Sequence, residues 1–115
     1  MSRYSSGREF EWKVRDDLAD NGYDVIRSAG SKTKVDLAAF KPGQAVFVQC
    51  KRDGKISPAE RVELLRVASH IDAVPVVAWK VPRIAAIRYW RLTGPGPAER
   101  VEWTTDITAL TGGTR

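Results

Sequence analysis

Cysteine and histidine are nearly missing from this chain of 115 residues: Cys50 and His70 are the single example of each. One cysteine cannot close an intramolecular disulfide, and nothing points to an oxidising compartment. One cysteine and one histidine also exclude a zinc site built on those ligands and a Cys–His catalytic pair. Cys50 reads as a small buried hydrophobe and His70 as a cation at a helix C-terminus. Long apolar runs are absent too, and none approaches the ~20 residues that span a bilayer. The opening MSRYSSGREFEW lacks the uninterrupted apolar core of a signal peptide. The expectation is a soluble, cytoplasmic protein with no membrane partner. G-x-G-x-x-G and P-loop patterns do not occur, and no small organic cofactor is expected. Internal repeats and low-complexity blocks are likewise missing.

What is present is positive charge. Lys and Arg number 19 against 14 Asp and Glu, for a net charge of +5 and an isoelectric point near 9.7. That sign favours polyanions, nucleic acid first and an acidic membrane surface second. With 43% hydrophobic residues the chain can build one core but is too short for two domains. A domain of this size gains stability by oligomerising, which makes a dimer reasonable.

The chain reads as helix, three strands, helix, two strands: a small α/β domain with a mixed sheet. The first helix is expected from about Gly7 to Asn21, with Ser5 or Ser6 as N-cap and Asn21-Gly22 as its stop. Phe10, Val14 and Leu18 recur at four-residue spacing and mark its buried stripe. Tyr23 to Ala29 is a β-branched run, followed by the polar loop Gly30-Ser31-Lys32-Thr33-Lys34. Two strand-like runs then flank Lys41-Pro42-Gly43-Gln44, the clearest hairpin in the sequence. Ser57-Pro58 opens the second helix, which runs to about His70. Two more strands follow in AVPVVAWK and RIAAIRYWRL, where Trp79 and Trp90 read as core or interface residues. Residues 1–92 are read as the working domain and 93–115 as a loop, a short strand in VEWTTDI and a flexible tail.

Folding the hairpin about Pro42-Gly43 pairs residues across it and sets Asp36 opposite Gln49 and Lys34 opposite Lys51. Opposed residues, and residues two apart on one strand, share a face. Asp36, Gln49, Lys34 and Lys51 thus form one polar cluster, with Phe40 and Phe47 on the same side. Val35, Leu37, Val46, Val48 and Cys50 take the other. This register assumes no bulge. On the first helix, at about 100° per residue, Glu11 lies roughly 60° from the buried centre and Glu9 roughly 140°. Glu11 is therefore the candidate to join the cluster, with Glu9 as the fallback.

These residue types suit phosphodiester hydrolysis by a hard cation. Mg²⁺ takes one or two carboxylates, neutral oxygens and waters, and lowers the pKa of a bound water. Asp36 and Glu11 would supply the carboxylates and Gln49 an amide oxygen. Lys51 would orient the water or offset developing charge. Arg27, Lys32, Lys34, Arg52 and Lys55 are near enough in sequence to hold flanking phosphates. Taken singly, each has a structural reading: Asp36 as a turn cap, Gln49 and Lys51 as a solvated strand face, Glu11 as plain helix surface. Together, in a basic chain, they favour chemistry.

The Gly7…Glu11 helix, Val25 to Lys32 with its Arg-Ser-Ala-Gly-Ser loop, Val35-Asp36-Leu37 and Val48-Gln49-Cys50-Lys51 resemble the archaeal-type Holliday junction resolvases. Val74-Pro75-Val76-Val77-Ala78 also looks like a later core strand of that family. These enzymes belong to the PD-(D/E)XK nuclease superfamily, and the resemblance covers roughly Ser5 to Leu92. It implies a single restriction-endonuclease-like domain with a central mixed β-sheet flanked by helices. It further implies a nucleoid-associated homodimer that nicks four-way DNA junctions in pairs, using Mg²⁺ or, in its place, Mn²⁺. Glu11, Asp36, Gln49 and Lys51 then take the acidic, acidic, ligand and lysine places, and Ser31 a place tied to catalysis or DNA contact. The family usually carries Glu where this chain has Gln49, so weaker metal binding is expected. The rival readings are a related nuclease acting on other branched or duplex DNA, and a junction-binding protein with weakened catalysis.

Overall fold

A long N-terminal helix, a six-stranded sheet and a second helix crossing the sheet's back make up the regular structure of the described residues. The computed structural model describes residues 3–28, 35–84 and 86–105. In chain order the elements are α1 (Arg3–Asp20), β1 (Asp24–Arg27), β2 (Leu37–Lys41), β3 (Gln44–Cys50), α2 (Pro58–Ser69), β4 (Val74–Lys80), β5 (Ile87–Leu92) and β6 (Arg100–Trp103). The strands lie side by side in that same order, every pair antiparallel except β3 and β4. A parallel pair needs a crossover, and α2 is that crossover. The result is the α/β domain with a mixed sheet that the sequence leads one to expect. No helix among the described residues is long and apolar enough to cross a membrane.

α1 packs on one face through its predicted stripe. Phe10, Val14 and Leu18 are buried against Leu37, Ala39, Val46, Val48, Val76, Ala78, Tyr89 and Trp103. Fully burying a Leu or Val side chain is worth about 1.5–3 kcal/mol, so this face dominates the stability. α2 covers the opposite face, where Leu64 meets Val35, Val77 and Leu92 with Phe47, Ile56 and Trp90 beside them. Trp90 stacks on Trp79 at 6.1 Å between centroids, which keeps both indoles on the sheet. β6 lies past residue 92 and brings Trp103 edge-on to Tyr89 at 5.4 Å.

Two helix ends differ in how local they are. α2 starts where Ser57-Pro58 places it: Ser57 Oγ accepts from the Glu60 N–H at 3.1 Å, and Glu60 Oε1 accepts from the Ser57 N–H at 3.1 Å. This capping box satisfies two otherwise orphaned donors. α1 instead begins at Arg3, so Ser5 and Ser6 lie inside the helix and are not its N-cap. Serine costs only about half a kcal/mol relative to alanine within a helix, and no proline stands in the way. The hairpin register is the expected one, Leu37↔Val48 through Lys41↔Gln44. Pro42-Gly43 closes it in two residues, and Gly43 at φ +76° supplies the conformation that a turn of this kind demands.

Candidate active site

The regular register ends at Leu37, one residue short of the aspartate. The Asp36 N–H donates to the Val48 carbonyl at 2.9 Å, although Leu37 already faces Val48. Two residues opposed to one is the form of a β-bulge. Its effect on direction is visible in the flanks: Leu37 packs on the α1 face and Val35 on the α2 face. Strict alternation puts Val35 and Leu37 together, so that expectation is corrected. So is the expectation that Asp36 stands over Gln49. Among the described residues no hydrogen bond joins them, and the Asp36 carboxylate turns to accept the Cys50 backbone N–H at 2.8 Å.

The Cys50 N–H holds Asp36 at the end of β3, within electrostatic reach of Glu11 on α1, Lys51 just past β3 and Glu60 on α2. Burial raises the Asp36 pKa, partly offset by the Cys50 N–H; nearby Glu11 and Glu60 raise it further while Lys51 lowers it. An acid crowded by other acids in a half-buried corner is a position that a cation relieves. Glu11, on α1, is partly buried and its Oε1 accepts from Arg27 Nε at 3.0 Å. Glu9 is exposed. Burial, with Asp36 and Glu11 close by, holds the Cys50 thiol well above its ordinary pKa, so it stays protonated and unreactive.

Gln49 lies on the α2 side and is only 4% exposed. Its Nε2 donates to Glu60 Oε2 at 3.1 Å, and the same oxygen accepts Lys51 Nζ at 2.8 Å. Burial pushes the Glu60 pKa up, but the hydrogen bonds from Lys51 and Ser57 and the Lys51 charge carry it down from 4.5 to about 2. Because the amide nitrogen must face a carboxylate, the amide oxygen must face away. Gln49 Oε1 is buried and has no hydrogen-bond partner among the described residues. A buried carbonyl left without a donor costs about 1–3 kcal/mol. It is also an unspent ligand for a hard cation.

Among the described residues no three His, Cys, Asp or Glu side chains gather into a ready metal cage. Mg²⁺ does not need one, since it uses one or two carboxylates with neutral oxygens and retained waters. Asp36, Glu11 and the Gln49 oxygen are of the right types. Around them lie cations: Arg27 against Glu11, and Arg52 and Lys55 exposed in the turn after β3. Arg52 also lines a shallow notch with Lys13, Lys80, Glu9 and Phe10. Ser31, Lys32 and Lys34 lie outside the described residues.

Sequence reasoning singled out neither Glu60, which bonds Gln49 and Lys51, nor Lys13 and Lys80, which line the notch beside Arg52. For Glu60 a signal existed, the Ser57-x-x-Glu60 spacing, but it marks only a helix start. Lys13 and Lys80 come together through the packing of α1 on the end of β4, which no local pattern announces.

Residues 2–111 match the family model described as archaeal Holliday junction resolvase (Hjc). A curated relative, the crossover junction endodeoxyribonuclease Hjc of Methanocaldococcus jannaschii, is 42% identical over 53 residues, which is 46% of this chain and 39% of that protein. The match therefore spans well under half of that relative's length. The solved structure of Archaeoglobus fulgidus Hjc, a Holliday junction resolvase from an archaeal hyperthermophile, superposes with a TM-score of 0.67 at 23% identity, covering 90% of this chain and 93% of that one. At that identity the likeness is one of fold.

Proposed function

Because the chain belongs to the archaeal Holliday junction resolvase family, we propose that it is a divalent-metal-dependent endodeoxyribonuclease that resolves four-way junctions by paired nicks as a homodimer. The observation that carries this reading is Gln49 Oε1, buried and without a hydrogen-bond partner among the described residues, near the end of β3 where Asp36 bonds the Cys50 N–H and Lys51 follows. With its nitrogen committed to Glu60, the Gln49 side chain has its oxygen left for a donor or a cation.

Asp36, Glu11 and Gln49 would hold the metal, with Mg²⁺ the expected ion and Mn²⁺ able to replace it. When bound, it neutralises phosphate charge and acidifies a water. Asp36 is kept in place by the Cys50 N–H and Gln49 by Glu60. Lys51 presents an ammonium beside them to offset charge developing on the phosphorus oxygens. Arg27, Arg52 and Lys55, with Ser31, Lys32 and Lys34, would hold flanking phosphates without reading sequence.

The homodimer is supported by the α2 side of the sheet. Ile26, Val35, Ala38, Phe47, Ser28 and Val67 line an apolar hollow there, and Val62 and Ile71 are exposed large hydrophobics. A two-fold interface would present two centres to one branched substrate.

One gel tests the reading: a four-way junction, a flap, linear duplex and single strands, each with Mg²⁺ and with EDTA. Symmetric paired nicks in the junction alone are expected. Equal cutting of all four would remove junction selectivity. Binding without cutting would mean that Gln49, where a carboxylate is usual, has weakened the centre to a junction-binding one.

A further inference from the structure

We infer that Glu60 is a positioning residue of the metal centre, fixing the Gln49 amide so that its oxygen, not its nitrogen, faces the metal. The inference rests on the nuclease reading and deepens it. An amide is a ligand only through oxygen, and its two ends are nearly equal in size. Something must therefore choose between two orientations. At Gln49 the choice is made by Glu60 Oε2, which accepts the Nε2–H at 3.1 Å. Flipping the amide would set a carbonyl oxygen against a carboxylate oxygen at that distance.

Glu60 is itself fixed on both sides. Its Oε1 accepts the Ser57 N–H and its backbone N–H donates to Ser57 Oγ, each at 3.1 Å, so the capping box of α2 anchors the carboxylate. Oε2 additionally holds Lys51 Nζ at 2.8 Å. One carboxylate on the first turn of α2 thus holds two side chains, Gln49 on β3 and Lys51 just past its end. Groups that orient metal ligands in this manner typically change metal affinity 10–100-fold when removed.

The test exploits a difference between amide and carboxylate. A carboxylate has two equivalent oxygens and no orientation to choose. Mn²⁺ binding to the full chain is measured by electron paramagnetic resonance for the unaltered protein, Glu60→Gln, Gln49→Glu and the double variant. Gln can still close a capping box, and thermal melts in EDTA verify that each variant folds. Glu60→Gln should weaken Mn²⁺ binding about tenfold or more when residue 49 is Gln. In the Gln49→Glu background the same change should alter it less than about threefold. Equal losses in both backgrounds would overturn the inference, since Glu60 would then act only by charge or by holding α2. No loss in the Gln49 background would overturn it as well. If the unaltered protein cuts junctions and binds Mn²⁺ while Glu60→Gln binds equally well, this assignment alone falls. If the unaltered protein binds no Mn²⁺, the metal-dependent reading falls and takes the assignment with it.

Discussion

Replacing Gln49 by Met separates what this side chain costs the protein from what it does for it. Met is unbranched and close to Gln in volume, so packing at this 4%-exposed position changes little. Two polar terms change. The buried Oε1, which has no partner among the described residues, disappears, which returns about 1–3 kcal/mol. The hydrogen bond from Nε2 to Glu60 is lost; a bond to a charged group is nominally worth about 1.5–3 kcal/mol. Here the loss falls below that range, because Glu60 keeps Lys51 and Ser57 and reaches water with a side chain 20% exposed. The net expectation is a metal-free protein more stable by about 1 kcal/mol, or about 4 °C for a domain of this size. With metal the order reverses. A ligand at a hundred times its Kd stabilises the unaltered protein by about 2.7 kcal/mol, and the variant should show less than half of that shift. The assay is thermal unfolding by circular dichroism at one protein concentration, in EDTA and in Mn²⁺. A variant more than 1 kcal/mol less stable in EDTA would mean that Oε1 was satisfied all along, and an undiminished Mn²⁺ shift would remove Gln49 from the ligand set.

Tyr89 donates its hydroxyl to Asp17 Oδ2 at 2.7 Å from a 3%-exposed position, so Tyr89→Phe should cost about 1.5–3 kcal/mol in urea unfolding. Burial first, and the bond to Asp17 second, push the Tyr89 pKa far above the ordinary 10.0. The unfolded chain then releases this proton first, and stability must decline as pH rises past 10. Tyr89→Phe should lessen that alkaline decline, and an unchanged slope would contradict the assignment. Val67→Glu sets a charge in the apolar hollow with Ile26, Val35, Ala38 and Phe47, and sedimentation should then show a shift from dimer to monomer with the fold retained; an unchanged dimer would place the interface elsewhere.

How much of this was readable in sequence follows how local each determinant is. The α1 stripe was legible because Phe10, Val14 and Leu18 repeat at the helical period and are buried for that reason. The β2–β3 register was legible because a two-residue Pro-Gly turn leaves one pairing. The bulge at Asp36 was not. Val35-Asp36-Leu37 looks like uninterrupted strand, and only the competition between ladder pairing and the Cys50 N–H turns the aspartate aside. The four residues expected on one face therefore part company: Asp36 bonds the Cys50 N–H, Gln49 and Lys51 bond Glu60, and Lys34 lies outside the described residues. Glu60 was hidden in another way. Its spacing from Ser57 is a local signal, but its second oxygen serves Gln49 and Lys51 only because α2 crosses β3.

The central claim is that cleavage depends on the Asp36 carboxylate at the end of β3. Asp36→Asn keeps an oxygen for the Cys50 N–H and removes the charge. The decisive measurement is single-turnover cleavage of a labelled four-way junction in Mg²⁺, with junction affinity of the same variant read in Ca²⁺. Cleavage should fall by about a hundred- to a thousandfold, as for loss of a group that stabilises the transition state electrostatically, with affinity within a few-fold of the unaltered protein. Cleavage retained at a comparable rate would contradict the claim.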